Sequence, residues 1–453
     1  MRRILIANRG EIACRVMRTC ERLGIETVAI YSPADAEALH TSMAHSAIAL
    51  ADDAPRAGYA NVDVVIEAAR RAGANAIHPG YGFLSENSAF ARGVEAAGMT
   101  WIGPRPETID DMGNKNRARD LAEGAGVPVL PGSAPIKAGD DSYHTRAQTI
   151  GYPVLVKAAA GGGGIGMKRV DAPSALAATV DNVQTHAARL YGDASVFIEK
   201  LVARARHVEI QVFGFGDGEA IHLYERECSI QRRYQKVMEE SSGPNLDARQ
   251  LQRMRDAAVA LARKERYAGP GTVEFLYDDE TGAFYFLEMN TRIQVEHPVT
   301  EMVTGIDLIE QQIRLARGEA LSDLRKGPPE RKGHAIEARL YAEDPRRSYM
   351  PSPGTLTELV LPTASESVRV DTGVRQGDTV SPFYDPMIAK IIGHGSTRPE
   401  AISALAEGLA QVHVAGLKCN IELLRALLAN DAFTAGRIHT GFLQEHAKSL
   451  LPA

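Results

Sequence analysis

The sequence is short of cysteine, has no block of one charge and contains no long apolar run, and each shortage removes a class of function. Cys14, Cys20, Cys228 and Cys419 are its only cysteines and none stands in Cys-x-x-Cys spacing, so neither a zinc site nor a disulfide framework is signalled. A reducing bacterial cytoplasm is the setting this predicts. The apolar run that follows Met1-Arg2-Arg3 stops at Ala7, too short for a signal-peptide core, and no later segment is built to span a bilayer. A removed organelle presequence would leave no trace here. The formal net charge of -6 over 453 residues, without a Lys/Arg cluster, argues against a nucleic-acid or membrane surface. Internal repeats and low-complexity tracts are missing as well. No Gly-Lys-Ser/Thr phosphate loop occurs, and Asn8-Arg9-Gly10 is not a dinucleotide fingerprint.

What remains is ordinary soluble globular composition, 44% hydrophobic and 24% charged, in a chain long enough for roughly two to four domains. Ile4 to Ala7 reads as a strand, Ile12, Val16, Cys20 and Leu23 recur at helical spacing, and Thr27 to Tyr31 is strand-prone again, which is a βαβ start. Helices near Val64 to Ala72 and Ser88 to Ala97 and short strands at Ala76 to His78 and Trp101-Ile102 continue the alternation. A parallel sheet over residues 1–113 is predicted. From Asn114 to Leu315 the pattern becomes α+β, with hairpins at Val154 to Val170 and at Thr272 to Asn290 around Asp278-Asp279-Glu280-Thr281-Gly282. The charged stretch Arg314 to Lys332, with Pro328-Pro329, reads as a linker. A last unit, residues 333–447, has strands at Ala335 to Tyr341, Ser367 to Thr372 and Met387 to Gly393, then helices at Arg398 to Ala410 and Asn420 to Leu428.

Three stretches carry candidate chemistry. Gly161-Gly162-Gly163-Gly164-Ile165-Gly166 places five glycines in six positions between two strand runs. Such a backbone lets amides approach a polyphosphate, with Lys157 upstream as a point charge; a plain flexible hairpin is the alternative. Glu288-Met289-Asn290-Thr291-Arg292-Ile293-Gln294-Val295-Glu296-His297 alternates polar and apolar. As an extended strand it would put Glu288, Asn290, Arg292, Gln294 and Glu296 on one face, and Met289, Thr291, Ile293 and Val295 on the other. A solvated edge would alternate too, but without this mixture of metal ligands, guanidinium and second carboxylate. The hairpin would also bring Glu274 near Glu288, and two carboxylates with the Asn290 amide oxygen suit Mg2+; exposed acids flanking a turn fit equally well. In Glu225 to Lys236 the mixed charges read mostly as solvated surface, Lys236 being the anion-binding candidate. Glu199, Lys200 and His207 say little by themselves.

Together these residues resemble the biotin carboxylase subunits and domains of the ATP-grasp superfamily. The likeness runs through Ala7 to Ala13, His78-Pro79-Gly80-Tyr81-Gly82-Phe83-Leu84-Ser85-Glu86-Asn87, the glycine loop, Gln231-Arg232-Arg233, Glu288 to Pro298 and Glu337-Ala338-Arg339, and is similar to the alpha subunits of acyl-CoA carboxylases. The resemblance implies an α/β Rossmann-like amino-terminal domain (1–113), an α+β ATP-grasp domain (114–315) with a lid near 131–203, and a mixed carboxy-terminal domain (333–447). It implies ATP near Lys115, Lys157, Gly163, Gly164, Gly166, Met167, Glu199, Lys200, His207, Gln231 and Leu276, with Glu274, Glu288 and Asn290 holding Mg2+ or Mn2+. Bicarbonate would meet Lys236, Arg292, Gln294 and Val295, with Glu296 as base; biotin would face Tyr81, Gly82 and Arg339. Without a Met-Lys-Met attachment motif, the biotin carrier and the carboxyltransferase would be partners elsewhere, and the family implies a homodimer or larger assembly.

Ile165 and Tyr234 depart from the family pattern, which carries Arg or Lys and His there, so positive charge beside the nucleotide is reduced. Other readings are a different ATP-grasp carboxylate ligase and a catalytically silent nucleotide-binding scaffold. The combined change Ile165→Arg, Tyr234→His is expected to lower the Michaelis constant for ATP; an unchanged constant would mean that neither position contributes.

Overall fold

The computed structural model describes residues 1–50, 55–158, 167–191 and 193–451. The glycine loop, with Gly163, Gly164, Ile165 and Gly166, lies outside them. Near the amino terminus five parallel strands run in the order Ser46–Ala49, Glu26–Tyr31, Arg3–Ile6, Ala76–His78, Thr100–Trp101. Helices cover both faces, and Ile4, Leu5, Ile6, Val28 and Ile30 are fully buried, as expected of strands packed on two sides. Sequence periodicity located four of these strands to within a residue or two, because they are short apolar runs between amphipathic helices, but missed the edge strand Ser46–Ala49, which is largely exposed.

An eight-stranded antiparallel sheet follows. Its spatial order is Phe284–Asn290, Ala268–Asp278, Ala205–Phe215, Ala220–Arg232, Gln235–Ser241, His334–Tyr341, Met387–Gly395, Val368–Thr372. The strand Gln235–Ser241 pairs with His334–Tyr341, Met238 opposite Ala338, so the sheet runs unbroken from the central part of the chain into its last third. The stretch read as a linker is partly ordered: its first residues end the helix Leu308–Ala316, and Ser322–Arg325 is a short helix. Arg325 pairs with Asp217 and Glu219, and Tyr224 donates to the Pro329 carbonyl at 2.7 Å. These contacts fasten the connection to the sheet, which charge content and proline alone did not foretell.

Between residues 131 and 203 a separate three-stranded sheet, Met167–Val170, Val154–Ala158 and Val196–Lys200, packs on the helix Leu176–Tyr191. Its core is its own, with Val154, Val156, Val180, Val183, Val196 and Ile198 all buried. The largest core lies under the carboxy-terminal strands, where Ile336, Ala338, Leu340 and Ile391 meet Ala401, Leu405 and Leu409 of the helix Arg398–Gln411. That helix comes so close to the sheet that a Cβ on Gly393 would lie 2.5 Å from the Leu405 nitrogen and 2.6 Å from the Ala401 oxygen. Backbone cannot yield as a side chain can, so Gly393→Ala is expected to cost about 1–3 kcal/mol, the usual range for overpacking. A lowered midpoint in urea unfolding followed by circular dichroism checks this.

Candidate active site

The site is built on cross-strand neighbours. Register sets Arg226 opposite Glu209, Glu209 opposite Glu274, and Glu274 opposite Glu288, so three carboxylates form a row across adjacent strands. Like charges directly opposite repel, and the row depends on the cations placed among them. Arg226 is wholly buried. It donates from Nε to Glu209 at 2.5 Å, from Nη1 to Gln211 and Thr300, and from Nη2 to Thr272 and Gln294. Lys236 Nζ donates to Glu209 at 2.7 Å, Glu274 at 3.0 Å and Glu296 at 2.5 Å. His207 Nε2 lies 2.9 Å from the second Glu274 oxygen.

The proton affinities follow. Burial favours the neutral acid at Glu274, but Lys236 and His207 outweigh it and hold the carboxyl well below its ordinary range. At Glu296 burial again pushes up, and Lys236, Arg339 and Arg226 together bring the carboxyl down. Lys236 is the mirror case: burial opposes its charge, and Glu209, Glu274 and Glu296 raise it well above the ordinary lysine value. Glu288 differs. It is exposed and forms no hydrogen bond or ion pair among the described residues; burial of its surroundings and the Glu274 charge push it up, with only Lys115 opposing strongly. Two facing carboxylates, one without a partner, fit a divalent cation with oxygen preference. The Asn290 Oδ1 accepts from Arg292 at 2.9 Å, and its Nδ2 donates to Glu274 at 2.9 Å, so this amide is already oriented between the two groups.

The 288–296 stripe is not one extended strand. Pairing with Ala268–Asp278 ends at Asn290, after which the chain turns, and Glu296 is the N-cap of the helix His297–Thr304. The turn is held by the Thr291 amide on Glu86, and by the His297 amide and ring nitrogen on the Gln294 carbonyl. Alternation therefore does not place Arg292, Gln294 and Glu296. They gather by convergence: Gln294 donates to Glu274 at 2.8 Å, Glu296 accepts from Lys236, and Arg292 donates to Glu86 and Asn290. Met289, Thr291 and Ile293 are buried as expected, whereas Val295 is only half-buried. The run Glu225 to Ile230 also corrects expectation, since it is buried rather than solvated, its acids and Arg226 being paired inside the sheet. Only Arg233 and Tyr234, at the hairpin tip, are exposed, Tyr234 by 75%.

On the other side of Glu296 stands Arg339, whose Nη2 donates to it at 3.0 Å and also contacts Glu239. Tyr81 lies within electrostatic reach of Arg339 and donates to Glu11 at 2.6 Å. Its loop is clasped by Asn8, which donates to the Pro79 and Tyr81 carbonyls; Gly80, at φ 64°, lies so close that a Cβ would sit 3.0 Å from the Asn8 amide nitrogen. Gly82 is exposed beside it. Lys390 Nζ bridges Glu11 at 3.0 Å and the Val295 carbonyl at 2.9 Å. Toward the separate small sheet, Lys157 pairs with Glu199, Lys200 donates to the Gly151 and Tyr152 carbonyls, and Leu276 is the cross-strand partner of His207. Gln231 pairs with Lys236, Lys115 starts its helix, and Met167 opens its strand opposite Lys157. Glu209, Arg226, Glu86, Glu239, Glu11 and Lys390 were not anticipated. The polar alternation His207, Glu209, Gln211 within an apolar strand was the available signal for Glu209.

A central sheet whose antiparallel strands present charged rows, with a small separate sheet beside it, is the ATP-grasp arrangement, and residues 114–324 match the family described as the carbamoyl-phosphate synthase L chain ATP-binding domain. Residues 1–109 match the biotin carboxylase N-terminal domain and 337–445 the biotin carboxylase C-terminal domain. Biotin carboxylase 2 of Bacillus subtilis is 48% identical over 444 residues, covering 98% of this chain and 99% of that protein. The mitochondrial methylcrotonoyl-CoA carboxylase subunit alpha of Arabidopsis thaliana is 46% identical over 448 residues; this chain is covered to 99% but spans only 61% of that subunit. The biotin carboxylase domain dimer of Hydrogenobacter thermophilus 2-oxoglutarate carboxylase, solved with MgADP, ADP and bicarbonate, superposes with a TM-score of 0.90 at 40% identity, over 100% of this chain and 99% of that one. The chain belongs to the biotin carboxylase family. No helix among the described residues is long and apolar enough to cross a membrane.

Arg226→Ala is expected to destabilise the protein by about 3–5 kcal/mol, the range for breaking a buried pair, because Glu209 would lose its principal partner. Adding Glu209→Gln is expected to restore part of that loss, which equilibrium denaturation of the single and double variants measures.

Proposed function

We propose that this chain carboxylates biotin carried on a partner, using ATP, Mg2+ (or Mn2+) and bicarbonate through carboxyphosphate, as the first half-reaction of an acyl-CoA carboxylase. The observation that carries the reading is Glu296, a buried carboxylate kept ionised between Lys236 and Arg339 and within one lysine of Glu274. Lys236, Arg292, Gln294 and Val295 hold bicarbonate in this reading, and Glu296 takes its proton.

A carboxylate held this far down is a weak base, and the geometry supplies the remedy. The two cations that hold Glu296 are the ones assigned to substrate. As Lys236 turns to bicarbonate and Arg339 to the biotin ureido oxygen, Glu296 loses both partners and its proton affinity rises. The deprotonated anion attacks the γ-phosphate and ADP leaves, carboxyphosphate breaks down to CO2 and phosphate, and the ureido nitrogen, giving its proton to that phosphate, captures CO2 beside Tyr81 and Gly82. Arg339 stabilises the charge that develops on the ureido oxygen.

Lys115, Lys157, Met167, Glu199, Lys200, His207, Gln231 and Leu276, with the amides of Gly163, Gly164 and Gly166, surround ATP. Glu274, Glu288 and Asn290 hold the metal, which when bound neutralises phosphate charge in a transfer that needs positioning more than covalent help. The biotin carrier and carboxyltransferase are partner chains or domains, and the working assembly is a homodimer or larger, in the bacterial cytoplasm.

The test is ADP release that requires bicarbonate and rises with free biotin, which a different ATP-grasp ligase would not show. Glu296→Gln is expected to lower the bicarbonate-dependent rate by about 10²–10⁴, the usual contribution of a general base. A parent-like rate in that variant favours the silent-scaffold reading and sinks this one.

A further inference from the structure

One pair of acids inside the sheet is used neither by the nucleotide nor by bicarbonate. Glu239 and Glu337 are direct cross-strand partners, 1% and 0% exposed. The strand His334–Tyr341 alternates: Ile336, Ala338 and Leu340 enter the carboxy-terminal core, while Ala335 packs with Val299 and Val303 of the helix His297–Thr304. Glu337 and Arg339 share the latter face by parity. Both Glu337 oxygens are buried without a hydrogen-bond partner among the described residues, and so is Arg339 Nε. Both Glu239 oxygens are likewise buried without a hydrogen bond, but one of them forms an ion pair with Arg339 Nη2, the atom that also donates to Glu296.

Two ionised carboxylates cannot be sustained side by side in such a place unless cations balance them. The charged groups facing the pair are few. Lys236, on the strand of Glu239, is already divided among three acids. Lys390, on the next strand, gives its Nζ to Glu11 and Val295. From the head of the helix come Glu296, another anion, and His297, whose ring burial and then Lys390 hold well below its ordinary value and therefore uncharged. Arg339 is the one cation in contact with Glu239 and Glu296, while Lys390, opposite it on the next strand, and Lys236 act on the pair only from a distance.

Resting on the functional reading above, we propose that Glu337 is a positioning residue for the biotin half of the site, carrying a proton and so limiting the anions that hold Arg339 to two. Burial raises Glu337 well above the ordinary carboxyl range although Lys390 opposes it, the Glu239 charge adding to the rise, and burial brings Glu239 up to about 7 despite Arg339. The consequence has a sign. As pH rises the Glu337 O–H bond breaks and its proton passes to solvent. The added negative charge draws Arg339 inward, away from the ureido oxygen, so use of biotin weakens on the alkaline side.

The experiment measures kcat/KM for free biotin at saturating ATP and bicarbonate, in the parent and in Glu337→Gln, an isosteric stand-in for the neutral acid. The parent is expected to fall on the alkaline side by up to about tenfold per pH unit, the limit for one titrating group. Glu337→Gln is expected to keep the low-pH value within about threefold and to lose the fall. A variant that still falls like the parent, or that is already crippled on the low-pH plateau, overturns the proposal. Infrared difference spectroscopy gives a readout independent of turnover: the parent is expected to show the C=O stretch of a protonated buried carboxyl that disappears in Glu337→Gln, and a parent without that band overturns the pair. If instead the parent releases ADP with no response to biotin, the functional reading fails while the band still decides the state of Glu337.

Discussion

Everything in the site is arranged around one half-buried ammonium. Lys236 has three protons to donate, and Glu209, Glu274 and Glu296 each take one within 3.0 Å. The acids come from two neighbouring strands and from the cap of a helix, so this single side chain registers three elements against one another. Exposed ion pairs elsewhere on the molecule, such as Lys326 with Asp323, belong to a class worth ~0–1 kcal/mol. Removing one partner from a buried group costs about 3–5 kcal/mol. The difference decides which charges organise the fold. Lys236 with Arg226 forms the part that cannot be loosened without exposing several acids to each other.

The continuous sheet explains how groups far apart in sequence meet. Glu209 and Glu274 belong to the central strands, Arg339 to the carboxy-terminal ones, and the pairing of Gln235–Ser241 with His334–Tyr341 brings them onto one surface. Cross-strand register then sets spacing without any need for long flexible side chains. The amino-terminal sheet contributes through Tyr81 and Glu11, and through Glu86, which binds Arg292 Nε at 2.9 Å. Three parts of the chain thus contribute to one cluster, with the small 131–203 sheet beside it.

Much of this was legible in the sequence, for identifiable reasons. Strands such as Ala76–His78 and hairpins such as the one around Asp278 to Gly282 announce themselves by apolar runs and turn residues, and the nearness of Glu274 to Glu288 followed from the hairpin, whereas the register that sets them directly opposite did not. The stripe from Glu288 to Glu296 pointed to residues that do converge, but through the wrong geometry. Alternation predicts an extended strand, but the Glu86 carboxylate and the cap of the following helix bend the chain after Asn290. The acids of Glu225 to Glu227 were misjudged because charge in a sequence reads as solvent exposure. Their partners, Arg206, Arg255 and Arg331, lie far along the chain, and no local pattern reveals such pairs. For the same reason Glu239, Glu337 and Lys390 could not be seen in advance.

A second ionic chain fixes the side of the site on which Tyr81 and Arg339 stand. From the Val295 carbonyl it runs through Lys390 to Glu11, and from Asp371 to Arg18 and Arg369, then through Glu301 to Arg15. Arg15 and Arg18 belong to the helix Gly10–Arg22 and Asp371 to the edge strand of the large sheet. The amino-terminal helix is therefore bonded to that edge strand and, through Glu11 and Lys390, to the strand that flanks Arg339. Since Glu11 on that helix also accepts from Tyr81, the positions of Tyr81 and Arg339 are set by one connected array rather than by two independent loops. A displacement of the helix along the sheet would have to break several buried pairs together, at a cost well beyond thermal energy. The tyrosine and the strand that carries Arg339 thus keep a fixed separation, and the freedom left to the site lies in which anion each cation chooses to hold.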